Sequence, residues 1–393
     1  MSGRDPFCQS RRSRRGAALT LVFAGVLVTG AATGSFPDPD PGAGSGRGAV
    51  PQDAARATVR PDAVQKAAAE AMADGKSPME AAERAVSRSG DRWGAVYSRG
   101  EYEEFEEALD GQYTGVGLWA RRAVDGRIEV TRVQPGSPAA AARIRKGDRL
   151  RSVDGTAVDG RPVTEVVALL RGDALDAPAG TAVRLGLERG ARTWSETLRR
   201  ARLSTDSVTV RRPSAGVTVI KVDAFTKGTG DVVRSAVRRT PAGAGIVLDL
   251  RGNSGGLVTE AVTAASAFLD GGLVATYDVD GEQRALHAED GGDTTRPLVA
   301  LVDGGTMSAA ELLTGALQDR GRAVVVGSRT FGKGAIQMPT RLPDGSVAEL
   351  TVGHYRTPSG HTVDGRGITP DLVAGRRALE RAETVLSGLG DPS

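Results

Sequence analysis

Two serines and one lysine carry spacing that could support acyl-transfer chemistry. Ser254 lies in Gly252-Asn-Ser-Gly-Gly256, which satisfies G-x-S-x-G after an apolar run and before a helical pattern. Ser308 lies in Gly304-Gly-Thr-Met-Ser-Ala-Ala-Glu311, also between an apolar run and a helical pattern. A hydroxyl nucleophile needs a base within hydrogen-bond reach and donors for the oxyanion. For Ser254 that base would be a histidine, and the chain has three: His287, His354 and His361. His287 sits in a polar, acidic stretch and His354 within a strand pattern, so neither has an obvious partner. Gly252–Gly256 also reads as a tight turn whose glycines let the backbone approach a ligand. Ser308 has a competing reading too, because Ser-Ala-Ala-Glu is a capping box. What sets Ser308 apart is Phe331-Gly-Lys-Gly-Ala-Ile-Gln337, which follows after one intervening strand. Lys333 alone would be a solvated loop residue. Gln337 stands at i+4 from it, so on a helix the two side chains would share a face.

Elements able to hold these residues are readable around them. From Val217 onward, apolar strands alternate with helices. The expected strands are 217–222, 245–250, 297–302, 323–327 and 348–355, with helices at 257–269 and 308–318. Repeated strand–helix units with continuous apolar strands indicate a layered α/β core. Upstream, Gln112 to about Arg200 carries short strands at 128–133, 149–153 and 182–187. There Gln134-Pro-Gly-Ser-Pro-Ala-Ala-Ala-Ala-Arg-Ile-Arg-Lys-Gly-Asp-Arg-Leu150 reads as turn, short helix, turn and strand. Val153-Asp-Gly-Thr156 then gives a tight hairpin. This block resembles a PDZ domain, with Arg143 where that family usually has glycine, so a looser helix end is expected there. Tyr113-Thr-Gly-Val-Gly-Leu118 resembles the PDZ carboxylate-binding loop. Residues Gly115, Val116, Gly117 and Leu118 would offer backbone N–H groups to a terminal carboxylate, while an extended peptide pairs with the adjacent strand edge. Before it, Ala- and Glu-rich helices span about 62–109, with starts at Asp62, Ser77 and Ser98. That segment has no catalytic spacing and reads as structural or interactive.

The ordered blocks together resemble the carboxy-terminal processing peptidases, or tail-specific proteases. The resemblance rests on Asp249-Leu-Arg-Gly-Asn-Ser-Gly-Gly256, Thr306-Met-Ser-Ala-Ala-Glu311 and Gly327-Ser-Arg-Thr-Phe-Gly-Lys-Gly-Ala-Ile-Gln337. Tyr355-Arg-Thr-Pro-Ser-Gly360 and Gly367-Ile-Thr-Pro-Asp371 extend it. Met307 and Ser254 replace a usual small residue and a usual proline. The resemblance implies a multidomain α/β chain with a crotonase/ClpP-like catalytic core, a PDZ-like domain and an N-terminal helical segment. It implies Ser308 as nucleophile, Lys333 as general base and Gln337 as the residue that holds the lysine. The amides of Ala309 and of Gly255 or Gly256 would form the oxyanion hole. Arg171, in Leu169-Leu-Arg-Gly172, matches a family arginine that couples a ligand-bound PDZ domain to the dyad. Two alternatives remain open from the residues: an α/β-hydrolase-type esterase using Ser254, and a PDZ scaffold that binds without cutting.

The chain has 393 residues, enough for several domains, and a formal net charge of +3 that gives no footprint for nucleic acid. Its abundance of Ala, Gly and Arg is what a GC-rich bacterial genome encodes. Arg11, Arg12, Arg14 and Arg15 precede an apolar run from about Gly16 to Ala32, the layout of an export signal or single membrane anchor. The remainder is therefore expected to be extracytoplasmic, either secreted or anchored to the cytoplasmic membrane, with the membrane touched only through this segment. The one cysteine, Cys8, precedes that run, so the exported part has neither disulfide nor thiol nucleophile. No metal or organic cofactor is suggested. The expected organisation is a signal or anchor at 1–35, a linker at 36–61 and helices at 62–111. A PDZ-like domain at 112–200, a peptidase core at 201–376 and a tail at 377–393 follow. Partners would be proteins or peptides with accessible C-termini, and a homo-oligomer through the helical segment is left open.

Overall fold

The computed structural model describes residues 60–172, 177–214, 216–279 and 282–390. The export segment and most of the linker lie outside them. Among the described residues no helix is long and apolar enough to cross a membrane. The chain forms two compact units, one spanning 114–201 and the other comprising the segments either side of it.

In the larger unit the chain opens with α1 (Pro61–Ala73) and α2 (Pro78–Ser89). The Ser77 hydroxyl caps α2 by accepting the Glu80 N–H, and left-handed Gly90 ends it. The short strand β1 (Ala95–Tyr97) and α3 (Arg99–Leu109) follow, the latter closed by a Ser98/Glu101 capping box. These helices are not a separate body. Val64, Ala68, Ala82 and Val86 bury against Leu342, Ala348 and Leu350 of the later chain.

The smaller unit receives β2 (Gln112–Gly115), then holds β3 (Leu118–Arg122), β4 (Ile128–Val133), α4 (Pro138–Ala141), β5 (Arg149–Val153) and β6 (Thr156–Ala157). After them come α5 (Val163–Arg171), β7 (Ala182–Arg189) and β8 (Arg192–Arg199). Strand order is β3-β4-β5-β7-β8, with β6 on β5, so β3 is an edge strand. Asp154 and Gly155, both at positive φ, make the expected hairpin turn, with Val153 paired to Thr156. Arg143 departs from expectation. It adopts the left-handed φ of 59° that glycine would take. The Ile144 N–H reaches back to the Ala139 carbonyl at 3.1 Å, so α4 closes tightly, in a Schellman-like manner, despite the side chain.

The chain re-enters the larger unit through β9 (Ala201–Ser204), β10 (Val208–Ser214), β11 (Val217–Val222), α6 (Thr229–Arg238), β12 (Gly245–Asp249) and α7 (Val258–Ala265). It continues through β13 (Leu273–Val279), β14 (Glu282–His287), β15 (Leu298–Val302), α8 (Ala309–Asp319) and β16 (Val324–Gly327). The last elements are β17 (Ala335–Arg341), β18 (Val347–Arg356), β19 (Leu372–Val373) and α9 (Ala378–Gly390). One sheet runs β10-β11-β12-β15-β16-β19, parallel except at β10. Period-two alternation divides its side chains between two layers. Ile220, Ile246, Leu248, Leu298 and Ala300 pack with α6, α7 and α8, while Val219, Val247, Val299, Leu301 and Val326 pack against α9. Burial on both faces explains the continuous apolar strands. The consequence for function is topological. β12, β15 and β16 are neighbours, and the three motif loops leave their carboxyl ends, where open α/β sheets place their ligands. A second sheet, β1-β18-β13-β14 with β17 on β18, completes the unit.

Arg143→Gly relieves a left-handed side chain, worth about 1–2 kcal/mol, against about 0.5–1 kcal/mol of added unfolded-state entropy. A small rise in the thermal midpoint of the full chain is expected. A fall would show that the arginine side chain contributes more than its backbone costs.

Candidate active site

Ser308 stands where β15 hands over to α8. The loop before it is fixed by hydrogen bonds: Asp303 Oδ1 accepts the N–H groups of Gly252 and Gly305, and the Thr306 hydroxyl donates to the Leu250 carbonyl. Ser308 itself has φ 52° and ψ −118°, a backbone that L-residues avoid. Such strain persists only where surroundings over-determine it, and it lifts a side chain clear of the turn. The capping reading from sequence holds in its main-chain part: Glu311 Oε2 accepts the Ser308 N–H at 2.9 Å, and the Glu311 N–H donates to the Ser308 carbonyl at 2.8 Å.

Lys333 is brought to the same place by shared partners. Glu311 Oε2 also accepts the Lys333 N–H at 2.8 Å, while Oε1 accepts the Gly332 N–H at 2.7 Å and the Thr330 hydroxyl. One fully buried carboxylate thus holds four donors from both motif loops. Burial pushes its carboxyl up, and the four hydrogen bonds oppose that rise. From the other side, the Tyr355 hydroxyl lies 2.9 Å from the Ser308 carbonyl and 3.2 Å from the Lys333 carbonyl. The Lys333 Nζ donates to Gln337 Oε1 at 2.7 Å. That contact does not come from a helix: β17 begins at Ala335, and an extended chain with an irregular register at Ile336/Gln337 sets it. Burial holds the Lys333 ammonium below the usual lysine range, opposed by the nearby carboxylates of Glu349, Asp91 and Asp364.

The glycine turn after β12 packs directly on Ser308. The Asn253 carbonyl accepts the Met307 N–H, and its side-chain amide donates to Val222. A Cβ on Gly255 would stand 2.9 Å from Ser308 Cβ, and one on Gly256 would stand 2.4 Å from the Phe225 carbonyl, so neither position takes a side chain. Of the three amides expected to line an oxyanion hole, Gly255 is already engaged, donating to Asn253 Oδ1 at 2.8 Å. Among the described residues no acceptor engages the N–H of Gly256 or Ala309, and Ala309 opens α8. The Ser254 hydroxyl is buried and has no hydrogen-bond partner among the described residues. His354 lies instead 3.9 Å from Asp364, and His287 and His361 are exposed.

The sequence matches the model of peptidase family S41 over residues 216–374 and that of the PDZ domain over residues 129–189. A photosystem II D1 C-terminal processing protease of known structure is 30% identical, with a TM-score of 0.50. The match covers 80% of this chain and 86% of that one. The chain belongs to peptidase family S41. Curated relatives include the chloroplastic carboxyl-terminal-processing peptidase 2 of Arabidopsis thaliana, 34% identical over 313 residues. That match covers 75% of this chain and 60% of the relative. The carboxy-terminal processing protease CtpA of Bacillus subtilis (strain 168) is 31% identical over 289 residues, covering 72% and 61%. The chain thus spans about 60% of the length of these curated relatives.

In this S41 chain the smaller unit holds the turn expected from the sequence at Gly115–Leu118. Gly117, at φ 80°, packs so closely on Ser137 that a Cβ would come within 2.2 Å, and the Val116 carbonyl accepts the Ala139 N–H. Gly115 and Leu118 flank this turn at the ends of β2 and β3. Arg171 is the last residue of α5 and Gly172 is its C-cap. Four contributors to the S41 centre went unread in the sequence: Glu311 as a clamp, Tyr355 as a bridge, and Trp93 and Asp364. Trp93 accepts the Gln337 amide at its carbonyl and donates its indole N–H to Asp364. The Glu311 signal was present but was absorbed by its capping-box position.

Glu311→Gln sets an NH2 group against two N–H donors or their equivalents. Loss of charge-assisted bonds at a buried acceptor is expected to cost about 2–4 kcal/mol in denaturant unfolding. A loss within about 0.5 kcal/mol, the range of an ordinary surface change, would contradict the clamp.

Proposed function

We propose that this protein is a serine endopeptidase that cleaves peptide bonds with a Ser308/Lys333 dyad, selecting chains by their C-terminal regions through its PDZ unit. The observation that carries this reading is the shared Glu311 carboxylate, which accepts the N–H groups of both Ser308 and Lys333 and so fixes the two residues together. A lysine amine in water has a pKa of about 10.4 and is a poor base near neutrality. Desolvation of Lys333 disfavours its charge, so a larger fraction is the neutral amine. That amine takes the Ser308 proton as Oγ attacks the scissile carbonyl carbon. The oxyanion forms against the Gly256 and Ala309 amides. When the C–N bond breaks, the Lys333 ammonium returns the proton to the leaving amine. A water deprotonated by the same amine then cleaves the acyl-serine ester and frees Ser308. Gln337 keeps Nζ in position throughout.

For substrate choice, the Gly115–Leu118 turn beside the edge strand β3 suits a terminal carboxylate followed by strand addition. Arg171 would couple occupancy of that groove to the dyad. The basic flank and apolar run near the N-terminus support exported proteins as substrates and an extracytoplasmic, secreted or anchored location. The esterase reading through Ser254 is disfavoured by a hydroxyl that no base contacts among the described residues.

Purified protein incubated with an unstructured polypeptide bearing a free C-terminus should yield defined fragments. Ser308→Ala and Lys333→Ala should each abolish cleavage, and Lys333→Arg should do the same because a guanidinium does not deprotonate. Ser254→Ala should stay within about threefold of the parent. Loss of activity in Ser254→Ala alone would favour the esterase. Binding without any cleavage would favour the scaffold. With Lys333 as base, kcat/KM rises with pH along a limb centred below the ordinary lysine value of about 10.4.

A further inference from the structure

The helical segment expected to be structural or interactive reaches the base. Between α2 and β1 the chain makes a tight turn, Asp91 to Gly94, whose Asp91 Oδ1 accepts the N–H groups of Trp93 and Gly94 at 3.0 and 2.9 Å. Asp91 is buried and anchored on β18, taking the Thr351 N–H at 2.8 Å and the Thr351 hydroxyl at 2.7 Å. Thr351 is the cross-strand partner of Gln337. On that neighbouring residue the same turn makes its second hold, the Trp93 carbonyl accepting Gln337 Nε2 at 2.6 Å. The indole is pinned separately, its Nε1–H donating to Asp364 Oδ1, which also accepts the Gly334 N–H next to Lys333. The ring lies 5.5 Å from Lys333 Nζ and 5.8 Å from the ring of Phe331, with the Arg92 guanidinium 4.4 Å from its centroid.

We infer that Trp93 is a positioning residue for the base: its carbonyl fixes which way the Gln337 amide points, and its indole walls the amine pocket. The inference rests on the peptidase reading above. A main-chain carbonyl can only accept, so it demands the nitrogen end of the Gln337 amide and turns the oxygen end toward Lys333. The reversed amide would set oxygen against oxygen at Trp93 and nitrogen against the amine, losing both bonds. In the observed orientation Nζ spends one N–H on Gln337, which directs the lone pair of the neutral amine elsewhere. The wall matters because it excludes water. An aromatic face also attracts an ammonium, worth roughly one to two pH units in a desolvated site, whereas desolvation shifts a buried lysine by up to about 3–5 units, so exclusion dominates. The charged groups around the pocket are Asp91 on the turn, Glu349 on β18 and Asp364 on the loop after it. Glu311 holds the Lys333 main chain, the Arg92 guanidinium lies 4.4 Å from the centre of the indole, and His354 sits 3.9 Å from Asp364.

The test is steady-state cleavage of a fluorescence-quenched peptide with a free C-terminus, by the full chain, across pH. Trp93→Ala should lower kcat about 10- to 100-fold with KM within about threefold, because proton transfer to a positioned base contributes about that much. Its acidic limb should move up by about one pH unit as water enters the pocket. Trp93→Phe keeps the wall but loses the Asp364 bond, so its limb should stay near the parent's while kcat falls only a few-fold. An unmoved limb in Trp93→Ala overturns the role, whatever happens to kcat. Should that variant not fold, Trp93→Leu, whose shorter side chain also opens the wall, decides instead, and an unmoved limb there overturns the role. If the parent shows no Ser308-dependent cleavage, the peptidase reading and this role fall together. Ser308-dependent cleavage with an unmoved limb rejects the role alone.

Discussion

The half of this molecule that carries Ser308 and Lys333 depends on one buried carboxylate. Glu311 has no exposure to solvent, and a charge in that place is costly unless every lone pair is used. It uses them on the N–H groups of Ser308, Gly332 and Lys333 and on the Thr330 hydroxyl. The arrangement makes the two loops mutually dependent. Neither can move without stranding the charge, and the strained backbone of Ser308 is held by that same penalty. Tyr355 adds a second tie through the two carbonyls.

The sheet delivers these loops at the right spacing without further adjustment. Neighbouring parallel strands lie about 4.8 Å apart, so turns leaving β12, β15 and β16 meet at one edge. Close approach then requires the absence of side chains in places. Gly255 and Gly256 allow the first turn to lie on Ser308 and Phe225, and Gly332 and Gly334 let the lysine loop pass the segment around Asp364. The glycine pattern that mimics a nucleophile elbow is therefore a packing requirement and a source of one free amide.

Much of this was legible in the sequence. Apolar runs bounded by turn residues located β11, β15 and β18 within a residue or so, because strands buried on both faces leave a plain compositional trace. The co-occurrence of Ser308, Lys333 and Gln337 marked the site. The i+4 spacing of the last two suggested a helix, whereas the chain is extended there, with a register shift doing the positioning. Other contributors left no local signal. Trp93 and Asp364 are separated by 271 residues and Trp93 and Gln337 by 244, and no periodicity encodes such a meeting. Nor does a serine announce a positive φ. Arg143 shows the converse, a side chain accepting a glycine conformation because the hydrogen bonds around it leave no alternative.

The central claim is that Ser308 is a nucleophile made reactive by a neutral Lys333. Its most direct test is covalent labelling with a serine-directed electrophilic phosphonate, the adduct located by peptide mass mapping and its rate of formation followed across pH. The account predicts a single adduct on Ser308, formed along a limb below the ordinary lysine range and lost in Lys333→Ala. An adduct on Ser254, or labelling of Ser308 at an undiminished rate without Lys333, would contradict it.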